Sequence, residues 1–144
     1  MSDNAYITSL RLRLSRYQAE LGELRQLLIP RALSNLEYRA AERTLQVSIG
    51  ACIGIAKHWA KALAGHSPQD AYQAFEILCQ RGAQPDNDDE LSGWRKVIGL
   101  RNALVHDYQN IDPEIICSVI TQGYSDRLFV FAEQGLEWLS LKSG

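Results

Sequence analysis

The sequence predicts an all-α protein, folded as an up-and-down bundle of four to five helices. Apolar residues recur at alternating spacings of three and four along most of the chain, which is the period of a helix that buries one face. Residues typical of helix caps, together with prolines and glycines, stand at the joints between these stretches. No segment shows the alternation of apolar and polar residues that indicates a strand.

The first two helices are predicted from long apolar stripes. The stripe over residues 5–28 ends before Pro30, which breaks the helix. The pattern over residues 32–65 is apolar over a wide arc, so we expect this helix to be central, or to face both a core and a partner subunit. Gly50 and Gly54 lie four residues apart in it, and that spacing favours close packing by another helix.

The third helix is marked at both of its ends. Ser67 is predicted to cap it, Pro68 suits the first helical position, and Asp70 suits the positive end of the helix dipole. Gly82 is predicted to follow its last residue, because glycine adopts the left-handed conformation that ends many helices.

The fourth and fifth helices follow an acidic loop. The loop covers residues 83–90 and ends in the acidic run 86–90, which we interpret as a solvated segment that leads into a helix start. The fourth helix is predicted over about 90–107. Asp112 is predicted to cap a fifth helix over about 113–140.

Length and charge limit the classes of function. The chain has 144 residues, which predicts a single domain over 1–144 with its core over about 5–140. A net charge of -2 excludes a protein that coats duplex nucleic acid or an anionic membrane. Without the acidic run 86–90 the rest of the chain carries +2, which permits a site that holds one or two phosphates.

The sequence also predicts where the protein works. The apolar runs are too short to span a membrane, and no basic segment followed by an apolar one begins the chain, so a cytoplasmic protein without a membrane partner is expected. The cysteines and tryptophans follow the apolar stripes and are predicted to be core residues of a protein in a reducing compartment. They are Cys52, Cys79, Cys117, Trp59, Trp94 and Trp138. His58 and His66 have no ligand partners at metal-binding spacing, so no metal and no cofactor are expected.

The fourth helix carries the residues that point to chemistry. Arg101 stands within an apolar stripe, where a guanidinium is costly unless it has a partner. Asn102 and His106 are four residues apart, so they share a helix face and can hydrogen-bond. His106 lies about 140° round the helix from Arg101. The two side chains converge if the arginine reaches round, if the helix ends near His106, or if two copies of the helix meet across a dimer axis.

Arginine and histidine together suffice to cleave RNA through its own 2′-hydroxyl. Arg101 would stabilise charge on the phosphorane, and His106 would move a proton at the 2′-hydroxyl or at the leaving 5′-oxygen. Asn102 would orient His106 or contact phosphate. By spacing alone, however, a structural salt bridge or a hydrogen bond between helices is the default interpretation.

The motif of the fourth helix resembles that of the HepT toxins, a branch of the HEPN ribonucleases. That family has an arginine followed by a polar residue, then a histidine, one residue and a tyrosine, which match Arg101, Asn102, His106 and Tyr108. The resemblance covers roughly residues 5–140 in the order of the family. Its further parts are Glu42-Arg43 before the run to Ile55-Ala56, the segment Ala74-Phe75-Glu76-Ile77-Leu78, and the exit from Tyr108 to Ile111-Asp112.

The resemblance implies a function and its partners. It implies a homodimer or higher oligomer, formed through the motif helix, in which two motifs line one cleft. It implies a metal-independent endoribonuclease that acts on RNA and is the toxin of a type VII-like toxin–antitoxin pair. It further implies an MntA-type nucleotidyltransferase antitoxin that uses ATP to transfer AMP to Tyr108.

Other interpretations stay open at this point. In the main alternative the chain is a non-catalytic helical subunit, substrate-binding or scaffolding, of a nucleotidyltransferase complex. Arg101 and His106 would then only hold nucleotide or partner. A purely structural bundle is a third possibility. Arg11, Arg13 and Arg16 crowd one end of the first helix, as surface charges or as an extension of an RNA track, and the acidic loop could repel RNA or dock a basic antitoxin surface.

Overall fold

The computed structural model describes the backbone of residues 2–143 and the side chains of residues 4–107 and 109–142. Within this part of the chain there are six α-helices, one 3-10 turn and no strand, which confirms the all-α prediction. The helices are α1 (Ser2–Leu28), α2 (Asn35–Ala64), α3 (Ala71–Gln80), α4 (Asp88–His106), α5 (Pro113–Thr121) and α6 (Tyr124–Ser143), with the 3-10 turn Tyr108–Asn110 between α4 and α5. No helix of the described residues is long and apolar enough to cross a membrane.

Helix α2 is the central helix, as its wide apolar arc predicts. It packs against all five other helices and contributes a buried stripe to the core. Its start is fixed by a capping box, in which the Ser34 hydroxyl accepts from the Glu37 backbone N–H at 3.2 Å and the Glu37 carboxylate accepts from the Ser34 N–H at 2.9 Å. Its end is fixed by Gly65, whose φ of +84° is left-handed.

Helix α3 starts later than its sequence predicts. Its N-cap is Asp70 rather than Ser67, because the Asp70 carboxylate accepts a hydrogen bond from the Gln73 backbone N–H at 2.8 Å. The predicted stop is confirmed, since Gly82 has a φ of +80° directly after the helix.

The predicted fifth helix is two helices, α5 and α6. Gly123 adopts a φ of +78° and ends the helical path between them. Arg25 of α1 secures the break: its guanidinium donates to the Thr121 carbonyl at 3.4 Å and lies 3.5 Å from the Asp126 carboxylate. The prediction of one continuous helix over 113–140 is therefore wrong, because the apolar period continues across a glycine turn that redirects the chain.

The aromatic side chains form the centre of the core. Trp94 stacks on Phe75 with ring centroids 4.2 Å apart and meets Phe131 edge-on at 4.7 Å. Its indole N–H donates to the Glu90 carboxylate at 3.0 Å, so a residue of the acidic run, in the first turn of α4, is hydrogen-bonded to the core. Trp59 is buried as well, which confirms the core assignment for these two tryptophans. Trp138 is half-buried against the core.

The cysteines are placed as small apolar residues. Cys52 is buried and donates to the Leu128 carbonyl at 3.2 Å, and burial raises the pKa of its thiol far above the usual range. Burial also raises the pKa of Cys79 to about 11, with a smaller contribution from the nearby Glu90 carboxylate. Cys117 is only half-buried, so the core prediction is incomplete for this residue.

Helix α6 joins the bundle through one close approach and one ion pair. At Gly135 a Cβ atom would overlap Ile55 Cγ2 and lie 3.1 Å from Trp59 Cε3, so only glycine lets α6 sit at this distance from α2. On either side of Gly135, the Glu133 and Glu137 carboxylates lie 2.9 and 3.3 Å from the Arg11 guanidinium of α1.

Candidate active site

The motif residues lie on the last two turns of α4 and at its end. Leu104 is buried and anchors this part of the helix, while Asn102 and His106 are exposed. Helix α4 ends at His106, because Asp107 leaves the helical conformation with φ -149° and ψ 37° while its N–H still donates to the Ala103 carbonyl at 2.7 Å. His106 is therefore displayed at a helix terminus, where the chain turns away.

The turn after His106 is fixed by its own hydrogen bonds. The Asn110 side-chain amide donates to the Asp107 carboxylate at 2.6 Å, and the Asn110 backbone N–H donates to the Asp107 carbonyl at 3.0 Å. The backbone of Tyr108 opens the 3-10 turn between these residues. The side chain of Tyr108, predicted to be the modified residue, lies outside the described residues.

Arg101 is half-buried and poorly satisfied. One of its terminal nitrogens donates to the Asn102 amide oxygen at 3.4 Å, which is a long hydrogen bond. Its Nε is buried without a hydrogen-bond partner among the described residues. Within the same part of the chain no hydrogen bond joins His106 to Arg101 or to Asn102. Among the described residues, one chain thus joins Arg101 to Asn102 by a hydrogen bond and joins neither of them to His106.

Arg101 faces a groove that the sequence did not reveal. Helices α1 and α2 run antiparallel, so that Tyr6 lies level with Gly54 and Glu20 hydrogen-bonds to Thr44. Between α1 and the α4 arginine, α2 forms the floor of a groove of about 510 Å³. The lining residues are Tyr6, Leu10, Arg13 and Tyr17 of α1, Arg43, Gln46, Val47, Gly50, Ala51 and Gly54 of α2, and Arg101 of α4.

The two glycines of α2 keep this floor open. A Cβ atom at Gly50 would have no heavy atom within 4 Å, and one at Gly54 would meet only the Tyr6 hydroxyl at 4.0 Å. The predicted role of these glycines in helix packing is therefore wrong within the chain. The close approach of two helices occurs at Gly135 instead, and the space beside the α2 glycines is unfilled by the described residues.

The groove is positively charged. It is lined by Arg13, Arg43 and Arg101 and by no carboxylate. None of these three arginines has an ion-pair partner among the described side chains, whereas Arg11, Arg25 and Arg31 each have at least one. We call this site the arginine groove. Burial raises the pKa of the Tyr6 phenol, and the positive charge of Arg13 nearby partly offsets that rise.

Sequence reasoning missed most of the arginine groove. Arg43 belongs to the segment Glu42-Arg43 of the resemblance, but neither Arg43 nor Tyr17 is assigned a binding role by the motif. A signal does exist, because Arg43, Gly50 and Gly54 recur at intervals of seven and four along an otherwise apolar helix. The predicted track of Arg11, Arg13 and Arg16 is partly corrected, since Arg11 is held by two carboxylates of α6.

The histidines outside the motif have ordinary surroundings. The His58 ring lies 5.3 Å from the Tyr6 ring, and His66 is near the Ser67 carbonyl at 3.4 Å. In the part of the chain that the structure describes, no three His, Cys, Asp or Glu side chains come together as metal ligands would.

Comparisons with known proteins agree with the motif. The family model "Ribonuclease HepT-like" matches residues 14–134. The mRNA nuclease HepT of Shewanella oneidensis is 34% identical over 84 residues, which are 57% of this chain and 60% of that relative's length. A solved structure, described as a crystal structure of a toxin-antitoxin with AMP-PNP, shares the fold with a TM-score of 0.68 at 23% identity, covering 92% of this chain and 96% of that one.

Proposed function

Because the chain belongs to the HepT-like ribonuclease family, we propose that it is the toxin of a type VII-like toxin–antitoxin pair, an endoribonuclease that needs no metal ion. One observation carries this proposal. The motif arginine, Arg101, lies half-buried in a positively charged groove, five residues before the exposed His106, and its Nε has no partner among the described residues. A phosphodiester is a group that satisfies such an arginine, and an imidazole brought beside it can then move the protons of cleavage.

The reaction follows from these two groups. The 2′-hydroxyl oxygen of RNA attacks the adjacent phosphorus, the bond from phosphorus to the 5′-oxygen breaks, and the products are a 2′,3′-cyclic phosphate and a 5′-hydroxyl. Arg101 stabilises the negative charge that grows on the phosphoryl oxygens. His106 moves a proton at the 2′-hydroxyl or at the leaving 5′-oxygen. Asn102 contacts the phosphate or orients His106, as predicted, and its hydrogen bond with Arg101 adds a role in positioning that arginine.

We further infer that the complete site is built by two copies of the chain. Arg101 and His106 point about 140° apart on α4, and His106 forms no hydrogen bond with Arg101 in one chain. A second copy whose α4 lies across a two-fold axis would place its histidine beside the first copy's arginine. The homodimer would thus be needed for the chemistry as well as for stability.

The proposed regulation is AMP transfer to Tyr108 by a nucleotidyltransferase antitoxin of the MntA type. The phenol oxygen of Tyr108 attacks the α-phosphorus of ATP, pyrophosphate leaves, and the phenol proton passes to a base. The added phosphate would occupy an arginine that otherwise binds RNA, and its nucleoside would block the cleft. The solved structure with this fold is a toxin-antitoxin with AMP-PNP, which supports a nucleotide-using partner.

Cleavage of single-stranded RNA in EDTA tests the proposal. The purified chain should produce 2′,3′-cyclic phosphate ends, and His106→Ala and Arg101→Ala should each reduce the rate by at least about 100-fold. Activity that survives both substitutions would contradict the assignment. A chain that binds a nucleotidyltransferase but never cleaves RNA would instead favour the non-catalytic subunit.

Mass spectrometry tests the modification. Incubation with the antitoxin and ATP should add AMP to the peptide that contains Tyr108, and Tyr108→Phe should prevent it. Addition at Tyr72 or Tyr124 instead would show that the modified residue is assigned wrongly.

A further inference from the structure

We propose that the arginine groove binds the RNA strand beside the cleaved phosphodiester, with Arg13 and Arg43 as ligands of neighbouring phosphates. This inference rests on the proposed ribonuclease function and adds a substrate-binding site to it. The motif residues act on one phosphate, whereas Arg13 and Arg43 lie on other helices and extend the contact along the strand.

The first argument is the charge of the groove. On the same helix, Arg11 is paired with two carboxylates of α6, so its charge is compensated. Arg13, Arg43 and Arg101 line one groove without a carboxylate and without an ion pair among the described residues. Such a cluster repels itself and is stabilised by an anion with several charges in a row, which is what a nucleic-acid backbone provides.

The second argument is the shape of the groove. One part of its floor consists of Gly50, Ala51 and Gly54, which project little or nothing from α2, and Gln46 and Val47 line the part nearer to Arg43. From Tyr6 to Tyr17 the α1 wall is about 16 Å long, by the rise of 1.5 Å per residue of a helix. At about 3.4 Å per stacked nucleotide this length holds roughly five nucleotides of a single strand. Tyr17, half-buried in the wall, offers a ring on which a base can stack.

The third argument is that the groove leads to the motif. Arg101 belongs to both, as a motif residue and as a lining residue. Its buried Nε has no partner among the described atoms, so it is available to an acceptor from a ligand. A strand lying in the groove would deliver a phosphate oxygen to Arg101 and its neighbouring phosphates to Arg13 and Arg43.

A helix of another chain fits this groove less well. An apolar helix in the groove would bury three guanidinium groups without an anionic partner, and the desolvation of these charges would oppose its binding. The small net charge of the chain also fits a short RNA contact, since only a few phosphates need to be held. We therefore assign the groove to single-stranded RNA.

The test measures RNA binding apart from cleavage. A fluorescent 12-nucleotide RNA with 2′-O-methyl groups lacks the attacking hydroxyl, so its fluorescence anisotropy reports affinity alone. Arg13→Gln and Arg43→Gln should each reduce the slope of log affinity against log salt concentration by about 0.7, and the double variant by about 1.4. Arg127→Gln is the matched control, because Arg127 is exposed on α6 outside the groove and its substitution should leave the slope unchanged.

A second pair of variants fills the groove. Gly50→Glu places a carboxylate over the open floor, whereas Gly22→Glu makes the same change at an equally open position of α1 outside the groove. The first should weaken RNA binding by tenfold or more and the second should not. Circular dichroism of both variants checks that each is folded.

The outcomes separate this site from the ribonuclease function. If the double variant binds and cleaves RNA like the wild type, the groove assignment is overturned and the function stands. If the wild type binds RNA through Arg13 and Arg43 but does not cleave it, the groove stands and the proposed catalysis fails. If the wild type does not bind RNA, or if the double variant changes the oligomeric state measured by light scattering, the groove is not an RNA site.

Discussion

Arg11 and Arg13 stand two residues apart on α1 and have opposite surroundings. Arg11 lies 2.9 and 3.3 Å from two carboxylates of α6 and ties the two helices together. Arg13 lines a groove that contains two more arginines and no carboxylate. The same residue type therefore serves the framework on one face of the helix and is left free for a ligand on the other.

Two glycines repeat this contrast on the other helices. Gly135 of α6 lies so close to Ile55 and Trp59 that no side chain fits, while Gly50 of α2 faces open space. Where α6 packs on α1 and α2, charges are paired and the helices are in close contact. In the groove the arginines have no carboxylate beside them and the space over Gly50 is unfilled. Three arginines without a carboxylate and an open floor thus occur at the same place, and this coincidence is the basis of the proposed RNA binding.

Removing the motif arginine should give the largest effect and separate function from stability. In Arg101→Met the buried, unpartnered Nε is replaced by an apolar atom, so the free energy of unfolding should be unchanged or rise by up to about 1 kcal/mol. RNA cleavage should fall by about 10²- to 10³-fold. Urea unfolding and a cleavage assay on the same preparation check both values, and a clear loss of stability would show that Arg101 belongs to the framework.

Exchanging the two glycines for alanine tests the packing contrast. Gly135→Ala should lower the free energy of unfolding by about 1–3 kcal/mol, because the new methyl group overlaps Ile55. Gly50→Ala should raise it by about 0.5–1 kcal/mol, because alanine favours the helix and meets nothing. Urea unfolding measures both, and equal effects at the two positions would contradict the contrast.

Replacing the paired arginine should have a smaller effect, and on stability only. Arg11→Gln should lower the free energy of unfolding by less than about 1 kcal/mol, as expected for a half-exposed ion pair. It should leave RNA affinity unchanged. Arg13→Gln, in contrast, should weaken RNA binding and leave the free energy of unfolding unchanged. Anisotropy and urea unfolding on both variants test this, and weaker RNA binding by Arg11→Gln would remove the distinction between the two arginines.

The smallest effect is the loss of an arginine–carboxylate pair at low pH. The hydrogen bond from Arg31, helped by the Ser34 N–H, lowers the pKa of Glu37 from 4.5 to about 2. Since this pKa is lower in the folded state, its stabilising contribution is present above about pH 4.5 and is lost as the pH falls towards 2. Glu37→Gln should thus be less stable than the wild type at pH 7 but not at pH 2.

Urea unfolding at several pH values between 7 and 2 measures that difference. The variant Arg13→Gln serves as the control, because no carboxylate faces it in the groove and its difference from the wild type should not vary over this range. A constant gap between Glu37→Gln and the wild type would show that the capping box of α2 does not depend on the charge of Glu37.

The helices are predictable from the sequence where capping and periodicity agree. The ends of α1 and α4 follow from Pro30, from the acidic first turn and from the end of the apolar stripe. The break at Gly123 is not predictable from periodicity, because Ile120, Tyr124 and Leu128 continue the same spacing across it. Only the left-handed turn of the folded chain shows that the glycine divides the helix.

The motif is predictable from the sequence, but the groove around it is not. Arg101, Asn102 and His106 are close in sequence, so their common helix is enough to identify them. Arg13 and Arg43 lie on different helices and become neighbours only through the antiparallel packing of α1 on α2. The face of the helix that carries an arginine decides whether it pairs with a carboxylate or lines a groove. The net charge of the chain contains no information about this placement.

The Nε of Arg101, which is buried without a partner among the described residues, is a point of local frustration in the energy landscape of the fold. Its position in the apolar stripe favours an apolar side chain and its charge favours an anion, and the described residues supply no anion to it. The Tyr38 hydroxyl and Trp59 Nε1 are also buried without a hydrogen-bond partner among the described residues, but only the Arg101 group is charged, so the conflict of charge lies there. An anion that binds there relieves it, and by linkage the melting temperature should then rise with anion concentration.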